Sequence, residues 1–300
     1  GLEGGGPTMW WGSVTPDQQP MDDHSLVYDS DPLDEPREIL GRPIARLSVS
    51  ADAVRANWVV RVSDVAPEGQ VTQVAGAAFN GTHRHSARKP EDVVPGEVFP
   101  LEFKLHFTSW VFPKGHRVRI AISNAQWPML WPTPIPMSST VEMGGEGGTR
   151  LELPVMPPGA NRVPEFVRPE ASPVLAGYET LDTGNISGYA AINSIEHDPE
   201  TGEAFGVATN SGATRYPWGI ERFEEEIEHR TSDTNPAYTS VVGRYKLTEE
   251  LADRTLEFEQ TVEFNSDEES FNLKFHRWVK VDGELFAERT WDESIPRDFQ

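Results

Sequence analysis

The stretch FPKGHRVRIAISNAQWPMLWPTP, residues 112–134, concentrates side chains that can do chemistry: one histidine, two arginines and two tryptophans. His116 follows a turn glycine and opens a strand pattern. There an imidazole either hydrogen-bonds locally or acts as a general base. Trp127 and Trp131, with Trp110, Phe107 and Phe112 just upstream, suit a sugar-stacking or apolar-substrate surface. They equally suit packing in a core or between domains. Proline fixes φ and removes a donor, so the Trp-Pro stretch holds its shape without sheet bonding. The segment reads as a rigid frame with one face available to a neighbour.

The rest of the chain supplies few reactive patterns. An α/β-type serine hydrolase needs Gly-x-Ser-x-Gly on a strand–helix turn, and no such motif occurs. His83 and His85 are spaced to share a strand face and could bind metal, but no third ligand is placed beside them, so a solvated loop is the simpler reading. The glycine runs GLEGGG and GGEGG lack the strand before and helix after that a phosphate cradle requires. Asp22-Asp23 and Asp267-Glu268-Glu269 lack the Asp-x-Asp spacing of a calcium loop; a calcium site elsewhere in the first half stays open. With 48 acidic residues a carboxylate pair suited to glycoside cleavage arises by chance, so it carries no weight. No cofactor is expected.

Charge and composition bound the partners. A net charge of −22 opposes binding to nucleic acid or to anionic membrane. The acid excess lies mostly in the second half, as in Glu221–Glu228, and reads as solvated surface. No run reaches the roughly 18 apolar residues of a spanning helix. Cysteine is absent, which excludes disulfides and thiolate chemistry and fits a cytoplasmic setting. The sequons at Asn80 and Asn185 read as coincidental. The chain opens at Gly1 on a glycine-rich stretch, and residues 1–15 read as a linker or tag remnant of a longer protein.

The elements that must position these residues are short β-strands. Ala45, Leu47 and Val49 alternate with Ile44, Arg46, Ser48 and Ser50. Residues 56–65 and 71–81 flank a Pro-x-Gly turn and predict a hairpin. Residues 98–112 alternate as one strand with Leu101, Phe103, Leu105 and Phe107 on one face. Residues 116–125 direct Val118, Ile120 and Ile122 inward. About eight strands to residue 157 predict a jelly-roll (galactose-binding-like) β-sandwich over 16–157. A linker follows at 158–168, then an antiparallel up-and-down β-meander of about seven strands over 169–300. Residues 247–255 could hold one helical turn.

Two segments carry a family resemblance. LVYDSDPLDEPREILGRPIARLSVSADAVRANWVVRVSDVAPEGQV and PGEVFPLEFKLHFTSWVFPKGHRVRIAISNAQWP resemble the C-terminal jelly-roll domain of the X-prolyl dipeptidyl-peptidase / cocaine esterase (CocE/NonD) hydrolases. FAERTWDESIPRDFQ, residues 286–300, is similar to the tail of a β-rich extension in a subgroup of them. The resemblance implies a serine esterase or peptidase parent. Its Ser-His-Asp triad would lie in an α/β-hydrolase domain upstream, the partner of this chain. None of those motifs is matched here, so no catalytic residue is carried over, and neither His24 nor His116 takes the role. The resemblance makes Trp110, Phe112, His116, Trp127 and Trp131 a domain-interface or pocket wall, and the chain alone inactive. An independent carbohydrate-binding module is the competing reading. The parent's substrate and the oligomeric state are not legible.

Overall fold

The computed structural model describes residues 17–144, 147–157, 165–184 and 194–300. The segment at 1–15, Asn185 and most of the expected linker lie outside them.

The first half is a two-layer β-sandwich. One sheet has the order β1 (Leu26–Asp29), β8 (Arg117–Ser123), β4 (Asn57–Val65), β5 (Val71–Asn80). The other has the order β10 (Arg150–Glu152), β3 (Ile44–Ala51), β6 (Phe99–Lys104), with β9 (Ser139–Val141) also on β3. β2 (Arg37–Gly41) pairs with β7 (Thr108–Phe112) as a separate ribbon. Alternation dictates the core: Leu47, Val49, Leu101 and Phe103 from one sheet meet Trp58, Val60, Val62 and Ile122 from the other. Trp58 stands edge-on to Phe99, with ring centroids 5.5 Å apart.

β4 is buried along its whole length. Its outward Arg61 therefore needs polar partners, which the N-terminal segment supplies. A single helical turn, α1 (Gln19–Asp22), carries Asp22, whose Oδ1 accepts from Arg61 Nη2 at 2.8 Å. Gln18 and Ser25 accept from Arg61 at 3.1 Å each. Arg119 bonds the second Asp22 oxygen at 3.0 Å and Asp29 twice.

Several expectations are corrected here. Residues 98–112 are not one strand: pairing stops after Lys104 and restarts at Thr108 in the ribbon, which leaves Phe107 exposed. Ten strands precede residue 157 among the described residues, where about eight were expected. Residues 247–255 form no helical turn, because β15 (Ser240–Leu251) runs directly through a tight turn into β16 (Thr255–Ser266). Cross-strand pairing overrides the local preference of Glu250 and Leu251.

Gly115, in the turn before β8, has φ +84 and hydrogen-bonds its N–H to Leu33 O at 2.8 Å. An L-residue in that conformation costs about 1–2 kcal/mol. Gly115→Ala should therefore lower stability by about that much in a denaturant titration, with the slope unchanged.

The second half is one eight-stranded sheet: β11 (Glu179–Asp182), β13 (Glu203–Tyr216), β14 (Gly219–Ser232), β15, β16, β17 (Ser270–Val281), β18 (Glu284–Pro296), with β12 (Ser194–Asp198) also on β13. From β13 onward each strand pairs with the next, as a meander does. No described helix is long and apolar enough to cross a membrane.

Candidate functional site

The sequence-marked residues divide between two places. Phe112 is wholly buried in the sandwich core. Trp110 and His116 converge on Asp64 of β4: Trp110 Nε1 donates to Oδ2 at 2.9 Å, and His116 Nδ1 lies 2.8 Å from Oδ1. An imidazole–carboxylate pair is the second half of a catalytic triad. Among the described residues, however, no serine or threonine hydroxyl bonds to His116. The pair ties β7 and β8 to the central strand.

Trp127 and Trp131 do something different. After β8 the proline-spaced loop swings across to the eight-stranded sheet. Trp131 stands against Trp127 at 4.9 Å, Phe264 at 4.7 Å and Phe271 at 5.8 Å, all edge-on. Its Nε1 donates to Ser266 Oγ at 2.9 Å. Trp127 is buried, edge-on to His229 at 5.8 Å, and shares a cluster with Ala204 and Val241. A cavity of about 130 Å³ lies beside them, lined among others by Thr133, Met137, Ser232 and Asp233.

The C-terminal tail closes the same seam. Arg297 is buried, and its guanidinium donates to the backbone oxygens of Asp267 at 3.0 Å, Ala237 at 3.4 Å and Pro132. It also lies over the Phe271 ring, 4.8 Å from its centroid. Burial, with Arg55 nearby, pushes its pKa down to about 10, so it stays charged at neutral pH. Arg55 in turn donates to Arg297 O at 3.2 Å, and Asn80 Nδ2 to Phe299 O at 2.8 Å. Asn80, the first sequon, is thus engaged in the tail contact. Sequence reasoning missed Arg297 as a seam residue. The signal available was an arginine flanked by proline and aspartate just after the last strand, within the tail stretch FAERTWDESIPRDFQ.

His229 has no hydrogen-bond partner at its buried Nδ1, and burial lowers its pKa below the ordinary value of about 6.5. A depressed histidine pKa means that the unfolded chain binds the proton more readily. Its stabilising contribution is complete above about pH 6.5 and is lost as pH falls through that value. His229→Gln should flatten the wild-type decline between pH 7 and 5, measured as the difference between the two melting curves.

His83 and His85 lie in and beside a 3₁₀ turn after β5, and no group of three His, Asp or Glu side chains converges among the described residues. His24 follows α1 and hydrogen-bonds its N–H to Met21 O. The sequence-marked residues therefore make two contacts within the chain, the brace on Asp64 and the packing against the eight-stranded sheet.

Residues 7–151 match the family model of the X-Pro dipeptidyl-peptidase C-terminal non-catalytic domain. The chain is similar to a Mycobacterium bovis protein assigned as a serine esterase, 32% identical over 127 residues. It is also similar to the cocaine esterase of a Rhodococcus species, 30% identical over 114 residues. Each match takes in 37% of this chain and 20% of the relative, so the chain spans about a fifth of the length of the curated relatives it matches. A solved α-amino acid ester hydrolase is 26% identical, with a TM-score of 0.47 over 49% of this chain and 28% of the other.

Proposed function

We propose that this chain is the non-catalytic C-terminal region of a CocE/NonD-type serine hydrolase of the esterase, amidase or X-prolyl dipeptidyl-peptidase class. In this reading it packs against an α/β-hydrolase domain of the same polypeptide and helps shape its substrate pocket. The sandwich occupies residues 16–157 and the meander domain 169–300, with a linker between.

The observation that carries the reading is the match of residues 7–151 to a domain described as non-catalytic, in relatives about five times longer than the matched part. The ribbon supports it. Opposite residues of β2 and β7 share a face, so Leu40 and Val111 project together from the outer side, and both are exposed, as is Phe107 nearby. An apolar patch of this kind on a sandwich with a complete core is what a docked domain would cover.

The test is to obtain the full polypeptide and treat it with a fluorophosphonate and an aryl ester. The reading expects one labelled serine upstream of Gly1 and ester turnover. A polypeptide without such a serine removes it.

A further inference from the structure

The meander lacks a core of its own. Among the described residues from 194 onward the buried hydrophobic side chains are Ala204, Ala208, Ala213 and Ala237, alanines all. Yet one face of the sheet is strongly apolar. In the ladder, Phe223 lies opposite Leu247, Leu247 opposite Phe258, Phe258 opposite Val279, and Val279 opposite Ala287. Opposite residues share a face, so these five make an apolar row across β14–β18. Four residues along each strand, on the same face, Ile227, Gly243, Val262, Phe275 and Trp291 make a second row. The next row, with His229, Val241 and Phe264, is where Trp127 and Trp131 sit. The apolar surface thus continues outward from an interface the chain already uses, and beyond that interface no further sheet or helix among the described residues is layered on it: Phe223, Leu247, Phe258, Phe275 and Val279 are half-buried, and Trp291 is half-buried beneath Arg277 and Arg289. A sheet with one apolar face needs a covering layer to be stable in water.

Between the two apolar rows runs a polar one, Glu225, Tyr245, Gln260, Arg277 and Arg289. It argues against a second copy of the chain as the cover. The sandwich blocks the Phe264 end, so a copy can lie face to face only with its own sandwich at the far end. That placement sets Glu225 on Glu225 and Arg277 on Arg277, like charges facing in a drying interface.

We propose that this face, from Phe223 to Trp291, seats the hydrolase part of the same polypeptide. The inference rests on the functional reading above and adds a second contact surface to the β2–β7 patch. It also specifies the occupant: an apolar ridge, flanked by basic residues above Glu221, Glu225 and Glu249 and by acidic residues above Arg277 and Arg289.

Hydroxyl-radical footprinting of the 300-residue chain and of the full polypeptide tests it. Oxidation at Phe223, Tyr245, Phe258, Phe275 and Trp291 should fall at least about fivefold in the full polypeptide. Trp218, exposed on the β13–β14 turn, should react equally in both. If a reactive serine is present upstream but the face reacts equally in both, this proposal fails and the functional reading stands. If no hydrolase domain is encoded, both fail. If the 300-residue chain is a dimer by light scattering with the face already protected, a second copy is the occupant and the proposal is overturned.

Discussion

Arg61→Ala is expected to cost about 3–5 kcal/mol of sandwich stability, the range for breaking a buried ion pair by removing one partner. Arg61 and Asp22 are both almost fully buried and lie 2.8 Å apart. The substitution leaves Gln18, Ser25 and one Asp22 oxygen facing an empty space in the covered side of β4. Arg119 still holds the other Asp22 oxygen, which places the effect toward the lower end of the range. Desolvation lowers the Arg61 pKa, and the Asp22 charge opposes that shift. The guanidinium is therefore tolerated only because α1 brings Asp22 over it. The double variant Arg61→Met with Asp22→Leu should recover much of the loss, since the cost lies in the unpaired charge and not in lost packing. Urea unfolding of the three variants measures this. A double variant no better than Arg61→Ala would mean that the pair does more than satisfy itself.

Trp131→Ala is expected to cost about 3 kcal/mol and to act on the seam. The indole touches Trp127, Phe264 and Phe271 and donates to Ser266, so its removal leaves a void between sandwich and meander. The sandwich core shares none of these contacts. The expected signature is loss of a single cooperative transition: the meander opens first, and hydrogen exchange quickens around Phe264 and Phe271 before it does around Val60. Trp131→Phe keeps the ring contacts and drops only the Ser266 bond, for about 1 kcal/mol. Uniform acceleration of exchange in both halves would contradict this division.

How much of this was readable beforehand depends on the range of the forces involved. β3, the β4–β5 hairpin and β8 follow from alternation and turn chemistry, which act over a few residues. The break between β6 and β7 did not follow. The alternation of residues 98–112 continues in the letters, whereas the pairing partner changes from β3 to β2. The aromatic cluster could be seen but not sorted. Phe112 and Trp127 are near in sequence, yet one lies within the sandwich and the other at the seam. Apart from Trp127, the partners of Trp131 come from strands more than 130 residues later, in a register no local pattern encodes. Arg297 was invisible for the same reason: its acceptors are backbone oxygens of three separate loops.

The most direct measurement is aryl-ester hydrolysis by the purified 300-residue chain under conditions where its far-UV signal is that of folded β-structure. The account predicts a rate indistinguishable from buffer, unchanged by His116→Asn. Saturable turnover that His116→Asn abolishes would show that the His116–Asp64 pair serves a nucleophile within this chain, and would contradict it.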